Sequence, residues 1–249
     1  MDQAAVDMAN GYDDAQMAAF RSAELTSDAD KQAAARSDMY ALMADLFRYP
    51  DKEFQAFVRN GELRDALVGI TENLPFACAL NDGETEKLQF SPLLDEDGVE
   101  AGFIRLFEAG PGDPPCPLIE GKYVKDSNRR AIFEDLIRFY NHFGLSYAEG
   151  AHEDRPDHVI YEMEFMHYIC FLTLRAGQQE KPIADLLLAQ RDFLKHHLLK
   201  WAGKLAERVA EVVNDIPEDY AGTFYANVAR LLARFIEADY AYLNEAQTR

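Results

Sequence analysis

The run from His158 to about Arg175 is apolar around most of its circumference, yet it carries two glutamates, Glu162 and Glu164, inside it. Such a stretch settles as a central helix walled in by other helices. It falls short of the roughly 20 uninterrupted apolar residues that cross a bilayer, and no other stretch reaches that length. The rest of the chain must therefore supply helices to surround it.

Helical periodicity recurs on both sides. Tyr40, Leu42, Met43, Leu46 and Phe47 mark one apolar face, closed by Tyr49-Pro50. Asp51 is placed to cap a short helix with Phe54, Phe57 and Val58. Another helix is predicted from Leu63 to Leu74, and residues 81–97 read as a polar, acidic surface connection. Phe103, Leu106 and Phe107 stand at i, i+3 and i+4 on a helix that Gly110-Pro111-Gly112 stops. The prolines from Pro111 to Pro117 keep the following loop extended. Ser127 or Asn128 caps a helix striped with Ile132, Phe133, Leu136, Ile137, Tyr140 and Phe143, and Gly144 sits at its C′ position.

Pro182 is expected in the first turn of a helix carrying Leu187, Leu194, Leu198 and Trp201. A last helix after Pro217 carries Phe224, Val228, Leu231, Leu232, Phe235 and Ile236. No segment shows sustained strand alternation. The expected fold is all-α, a single helical domain of about ten helices over 28–249, behind an N-terminal extension at 1–27. A hinge at 145–157 would divide it into halves at 28–144 and 158–249.

Acidic side chains outnumber basic ones, 44 to 25, a formal charge of −19. Such a surface repels nucleic acid and anionic lipid and favours a basic protein face. The three cysteines, Cys78, Cys116 and Cys170, lie far apart and fit a reducing compartment. The acidic start Met1–Asp7 has no apolar run, so no secretory signal is expected and the protein should be cytoplasmic.

Several side chains could carry chemistry. Glu164 and His167 have the Glu-x-x-His spacing of bundle metal sites, and Glu162 adds a carboxylate. A helical metal-binding protein or metalloenzyme using Glu162, Glu164 and His167 is therefore the alternative reading. Glu149 and His152 repeat that spacing in a glycine-containing loop. No nucleophile elbow or phosphate loop is present, and His196-His197 reads as a surface pair. Asp157, at the mouth of the central helix, has two open readings. It is either only that helix's N-cap, or an N-cap that also offers its carboxylate to a guanidinium, with His158 beside it.

Tyr40–Pro50, Phe103–Phe107, Gly110-Pro111 with Pro114-Pro115, and Pro156-Asp157-His158 followed by Glu162–Met166 together resemble the TorD/DmsD/NarJ redox-enzyme maturation chaperones. The resemblance implies an all-helical cytoplasmic protein without catalysis or a cofactor of its own. It would bind the apo catalytic subunit of a molybdenum enzyme, and its twin-arginine leader, until the molybdopterin cofactor is inserted. Phe103, Leu106, Phe107, Pro115, Asp157 and His158 match the family's client-binding elements. Tyr123, at the end of the proline loop, and Glu162, one turn beyond His158, complete the expected set. A monomer or a domain-swapped dimer is compatible with two halves and a hinge.

Overall fold

The computed structural model describes residues 25, 27–77, 87–124, 128–145, 155–216 and 218–246. In chain order these form α1 (Asp28–Leu46), α2 (Lys52–Arg59), α3 (Glu62–Thr71) and α4 (Glu96–Phe103), which runs on as a π-helical turn (Ile104–Glu108). A 3-10 turn (Glu120–Lys122) precedes α5 (Arg129–His142), α6 (Val159–Gln178) and α7 (Ala184–His196). A second 3-10 turn (Leu198–Lys200) leads into α8 (Ala202–Asn214) and α9 (Tyr220–Ala246). The described residues contain no strand, only an isolated antiparallel bridge between Ile119 and His158. The all-α expectation holds.

Local chemistry sets the helix ends. Ser27 and Asp30 form a reciprocal capping box at the start of α1: Asp30 N–H donates to Ser27 Oγ at 3.0 Å, and Ser27 N–H to Asp30 Oδ2 at 3.3 Å. Asp51 caps α2 as expected, accepting from Phe54 N–H at 2.8 Å. Asn128 caps α5, and Gly144 follows it with φ +80°, a left-handed turn that suits glycine.

Helix α6 takes the central place that its composition requires. Val159, Met163, Phe165, Met166, Ile169 and Cys170 are fully buried, and α1 packs along its length. Helices α8 and α9 pack against each other, and α7 bridges α6 and α9.

A buried polar knot ties four helices together. The Arg36 guanidinium donates to both carboxylate oxygens of Asp239, at 2.5 and 2.9 Å, and to Gln190 Oε1 at 2.6 Å. Tyr40 Oη–H donates to Asp239 at 2.6 Å, and Gln190 Nε2 to Thr173 Oγ1 at 2.7 Å. Every polar group is thereby answered inside the core, the condition on which buried charge is tolerated.

Several expectations need correction. The connection at 81–97 is not wholly surface: Leu88 and Phe90 enter the core, and a helix begins at Glu96. Phe90 packs on Phe224 with ring centroids 4.5 Å apart and planes at 45°, which buries an aromatic pair within the acidic connection. Pro182 lies outside α7, whose N-cap is Ile183. The helix expected to run on to Trp201 breaks at His197, where φ −123° and ψ −90° leave the helical region. Most of the N-terminal extension and residues 146–154 of the expected hinge lie outside the described residues.

Candidate functional site

The aromatic trio is buried. Phe103, Leu106 and Phe107 are 3%, 0% and 5% exposed, so they pack the core rather than floor an open groove. Gly102 explains this. A Cβ there would stand 2.3 Å from the Ala221 Cβ, so glycine lets α4 lie almost against α9. The trio then meets Tyr225 of α9, with ring centroids at 5.6 Å for Phe103 and 5.2 Å for Phe107. Past the π-helical turn, Leu106 C=O accepts from Cys116 N–H at 2.9 Å and draws the proline loop back over the trio.

The loop is held from the other side by α8. Arg208 Nε donates to Pro115 C=O at 3.0 Å and Lys204 Nζ to Tyr123 C=O at 3.1 Å. Tyr123 stacks on Trp201, with centroids 5.7 Å apart and planes at 23°. Pro115 and Tyr123 are half-buried, and the loop tip Gly110–Asp113 is exposed.

At the mouth of α6, Asp157 is fully buried and spoken for. Arg155 of the same chain grips it in bidentate fashion, Nε to Oδ1 at 2.9 Å and a terminal nitrogen to Oδ2 at 2.8 Å. Gly121 N–H also donates to Oδ2, at 3.1 Å. The Arg155 guanidinium lies over the Phe133 ring at 5.4 Å. The N-cap reading of Asp157 is corrected: the cap is His158, whose Nδ1 accepts from Ile160 N–H at 3.3 Å. The guanidinium that Asp157 meets belongs to its own chain. His158 itself remains half-buried.

Beneath this corner lies a sealed polar cluster. Glu162 is fully buried and accepts from Trp201 Nε1–H at 3.2 Å, while its other oxygen has no hydrogen-bond partner. Burial, then the neighbouring Glu120 and Asp157 carboxylates, hold its carboxyl well above the usual range against the opposing pull of the Trp201 bond. Glu120 Oε2 meets His197 Nδ1 at 2.9 Å. The far nitrogen of His197 faces Asp135 at 3.5 Å, within ion-pair reach but without hydrogen-bond geometry.

Four members of the site were not anticipated: Glu120, Arg155, His197 and Trp201. The surface reading of His197 is corrected, because it is 2% exposed. Its signal was its spacing, since Phe193, His197 and Trp201 fall at i, i+4 and i+8. Of the expected set, the structure brings Tyr123, Asp157, His158 and Glu162 to one corner and places the aromatic trio behind the loop.

The metal alternative is overturned by direction. Glu162 turns to Trp201, Glu164 to Arg48, and His167 to Ser37 at 2.9 Å. Among the described residues, no group of three or more His, Cys, Asp or Glu could hold a metal ion. Glu149 and His152 lie outside the described residues. Burial pushes the Cys116 thiol up to about 11 and Cys170 to about 12, so both stay protonated and poorly nucleophilic at neutral pH. The side chains of the corner brace the proline loop against α6 and α8.

Residues 62–207 match the family described as the nitrate reductase delta subunit, more than half the chain and the whole of the corner just described. The chain belongs to that family. The chlorate reductase assembly chaperone protein of Ideonella dechloratans is 29% identical over 83% of this chain and 88% of its own. The selenate reductase assembly chaperone protein of Thauera selenatis is 29% identical over 65% and 78%. Chaperone protein TorD of Vibrio parahaemolyticus is 26% identical over 84% and 94%. The resemblance drawn from the motifs is thus borne out. Within this nitrate reductase delta subunit family match fall α4, the proline loop, the Asp157 corner and Trp201.

Proposed function

We propose that this protein is a cytoplasmic, system-specific chaperone for the catalytic subunit of a molybdenum oxidoreductase. It holds the apo subunit, together with its twin-arginine leader, until the molybdopterin cofactor is in place. It has no catalysis of its own. The observation that carries this reading is the alignment with the chlorate reductase assembly chaperone over 88% of that protein's length.

The chemistry of the chain supports it. A charge of −19 draws a client with a basic leader and speeds encounter, an effect that salt weakens. No helix among the described residues is long and apolar enough to cross a membrane. On this reading Pro115, Tyr123 and His158 meet the client at the half-exposed corner. Asp157, Glu162, Phe103, Leu106 and Phe107 act from behind by fixing the loop and helix that carry those three.

The test is co-purification. The tagged protein is expressed with the molybdenum-enzyme catalytic subunit of its own organism, in cells able or unable to make the cofactor. Capture of the apo subunit, and release once cofactor is supplied, is expected. Failure to retain the apo subunit while remaining folded would overturn the proposal.

A further inference from the structure

The proline loop is a stiff arm on a glycine base. A Cβ on Gly110 would stand 2.4 Å from the Asp113 carbonyl oxygen, and Gly112 has φ +100°, so both positions call for glycine. Beyond them Pro114, Pro115 and Pro117 fix φ and carry no N–H. They stiffen the arm and leave it few donors with which to hold on. Among the described residues, three hydrogen bonds hold it between Asp113 and Pro117. Cys116 N–H donates to Leu106 C=O at 2.9 Å, Arg208 Nε to Pro115 C=O at 3.0 Å, and Lys122 Nζ to Asp113 Oδ2 at 2.5 Å. The two side-chain anchors are exposed. The far end of the arm is tied to α6, where Val159 N–H donates to Leu118 C=O at 2.9 Å.

The arm lies over an apolar face with polar atoms to spare. Phe103 and Phe107 pack on Tyr225, which is 0% exposed and whose hydroxyl has no hydrogen-bond partner. Arg105 Nη1 is likewise buried and unpartnered, and its guanidinium stands close enough to Cys116 to act on the thiol. Buried polar atoms left unanswered cost stability, and a partner that answers them recovers it. We propose that the arm is a strap. Docking of the apo subunit at the corner unseats it, and the face of the trio then receives an extended apolar segment of that subunit. The main chain of such a segment offers both donors and acceptors at every step, for Leu106 C=O, the Tyr225 hydroxyl and Arg105 Nη1. The inference rests on the chaperone reading and adds to it which part of the client is held. Seated, the trio braces the loop; unseated, the same face grips. An unfinished subunit exposes apolar segments that a finished one has buried, so the grip is lost as the client matures.

Cys116 reports on the strap. It is 0% exposed while the arm is seated, and burial holds its thiol up to about 11, so alkylation is slow. Cys170, fully buried in the core, is the internal control. Pulse labelling of the full chain with iodoacetamide, read by peptide mass mapping, gives both rates. Arg208→Ala removes one side-chain anchor and Asp113→Ala the other. Each is expected to speed Cys116 alkylation several-fold, with Cys170 and the circular dichroism spectrum unchanged. Loss of Arg208 alone takes a stabilising charge from the Cys116 thiolate and would slow the reaction, so a faster rate reads access. Easier opening removes part of the cost of binding, so both variants are expected to hold the apo catalytic subunit several-fold more tightly. Emission of Nile red, an uncharged apolar dye, is expected to rise in both variants and to fall back when the apo subunit is added.

Unchanged Cys116 labelling in both variants would overturn the strap, and so would equal acceleration of Cys116 and Cys170. Faster labelling with unchanged or weaker subunit affinity, or a dye that the subunit fails to displace, would overturn the client's place on the trio. A wild-type protein that does not retain the apo subunit would sink the chaperone reading and the client's place with it, whereas the labelling rates judge the strap by themselves.

Discussion

Arg155 and Asp157 stand two residues apart and close on each other as a two-bonded guanidinium–carboxylate pair, with the carboxylate fully buried and the guanidinium 20% exposed. Gly121 N–H completes the carboxylate's partners. The pair therefore joins the entry to α6 to the end of the proline loop, and the bridge from Ile119 to His158 runs beside it. Loss of Asp157 is consequently first a structural event.

Asp157→Asn is expected to lower stability by about 2–3 kcal/mol, the scale of lost hydrogen bonds to a charged partner. Urea unfolding monitored by circular dichroism checks it. Client binding should fall in step with the loss of order in the loop. An unchanged unfolding midpoint with binding abolished would instead make Asp157 a direct contact.

The knot between α1 and α9 predicts a sharper effect. Arg36→Met strands the Asp239 carboxylate in the core, where breaking a buried pair costs about 3–5 kcal/mol. The double variant Arg36→Met with Asp239→Leu removes both charges and should recover much of that loss. Urea midpoints of the two single variants and the double form the cycle that decides it.

These two pairs mark where the sequence stopped being readable. Helix periodicity disclosed α1, α5, α6 and α9, because their apolar residues repeat at the helical spacing and the structure buries those faces. The Asp51 cap and the Gly144 turn were legible because they depend on neighbours alone. Arg36 and Asp239 lie 203 residues apart, and no local pattern pairs them. His197 looked like a surface residue beside His196, and its spacing from Phe193 and Trp201 was the local sign of its depth. The aromatic trio was read correctly as one apolar face. What covers it depends on Gly102 admitting Ala221, a contact between distant segments.

That contact is itself testable. Gly102→Ala sets a methyl group against the Ala221 Cβ and should force α4 and α9 apart, at about 1–3 kcal/mol, as overpacking does. Ala221→Gly in the same chain removes the opposing methyl and should restore most of the stability. Thermal unfolding of the two variants decides it. Failure of the second change to rescue the first would mean that the close approach is not what Gly102 provides.

The buried Glu162 gives the protein a pH dependence with a definite sign. Its folded carboxyl titrates well above the unfolded one, first through burial and then through Glu120 and Asp157. The folded state therefore holds a proton that the unfolded state gives up above the usual glutamate value of about 4.3. Its contribution is fully present below that value and declines as pH rises toward the folded one. Glu162→Gln keeps an acceptor for Trp201 Nε1–H and has no proton to lose. The variant should gain stability over the wild type between pH 6 and pH 8, and its urea midpoint should fall less over that interval. A wild-type midpoint that ran parallel to the variant's over that interval would mean that Glu162 is ionised in the folded protein.

Trp201 is an optical probe built into the corner. It is the chain's single tryptophan, fully buried, stacked on Tyr123 at the end of the proline loop and bonded to Glu162 of α6. Its emission therefore reports on the loop and on the central helix at once. Docking of an apo catalytic subunit against Pro115, Tyr123 and His158 should shift the Tyr123 ring on Trp201 and change the tryptophan signal. A tryptophan-free subunit keeps Trp201 as the only fluorophore of its kind, and Tyr123→Ala serves as the control in which the stack is already lost. An apo subunit that binds tightly without altering Trp201 emission would show that the corner is not where it docks.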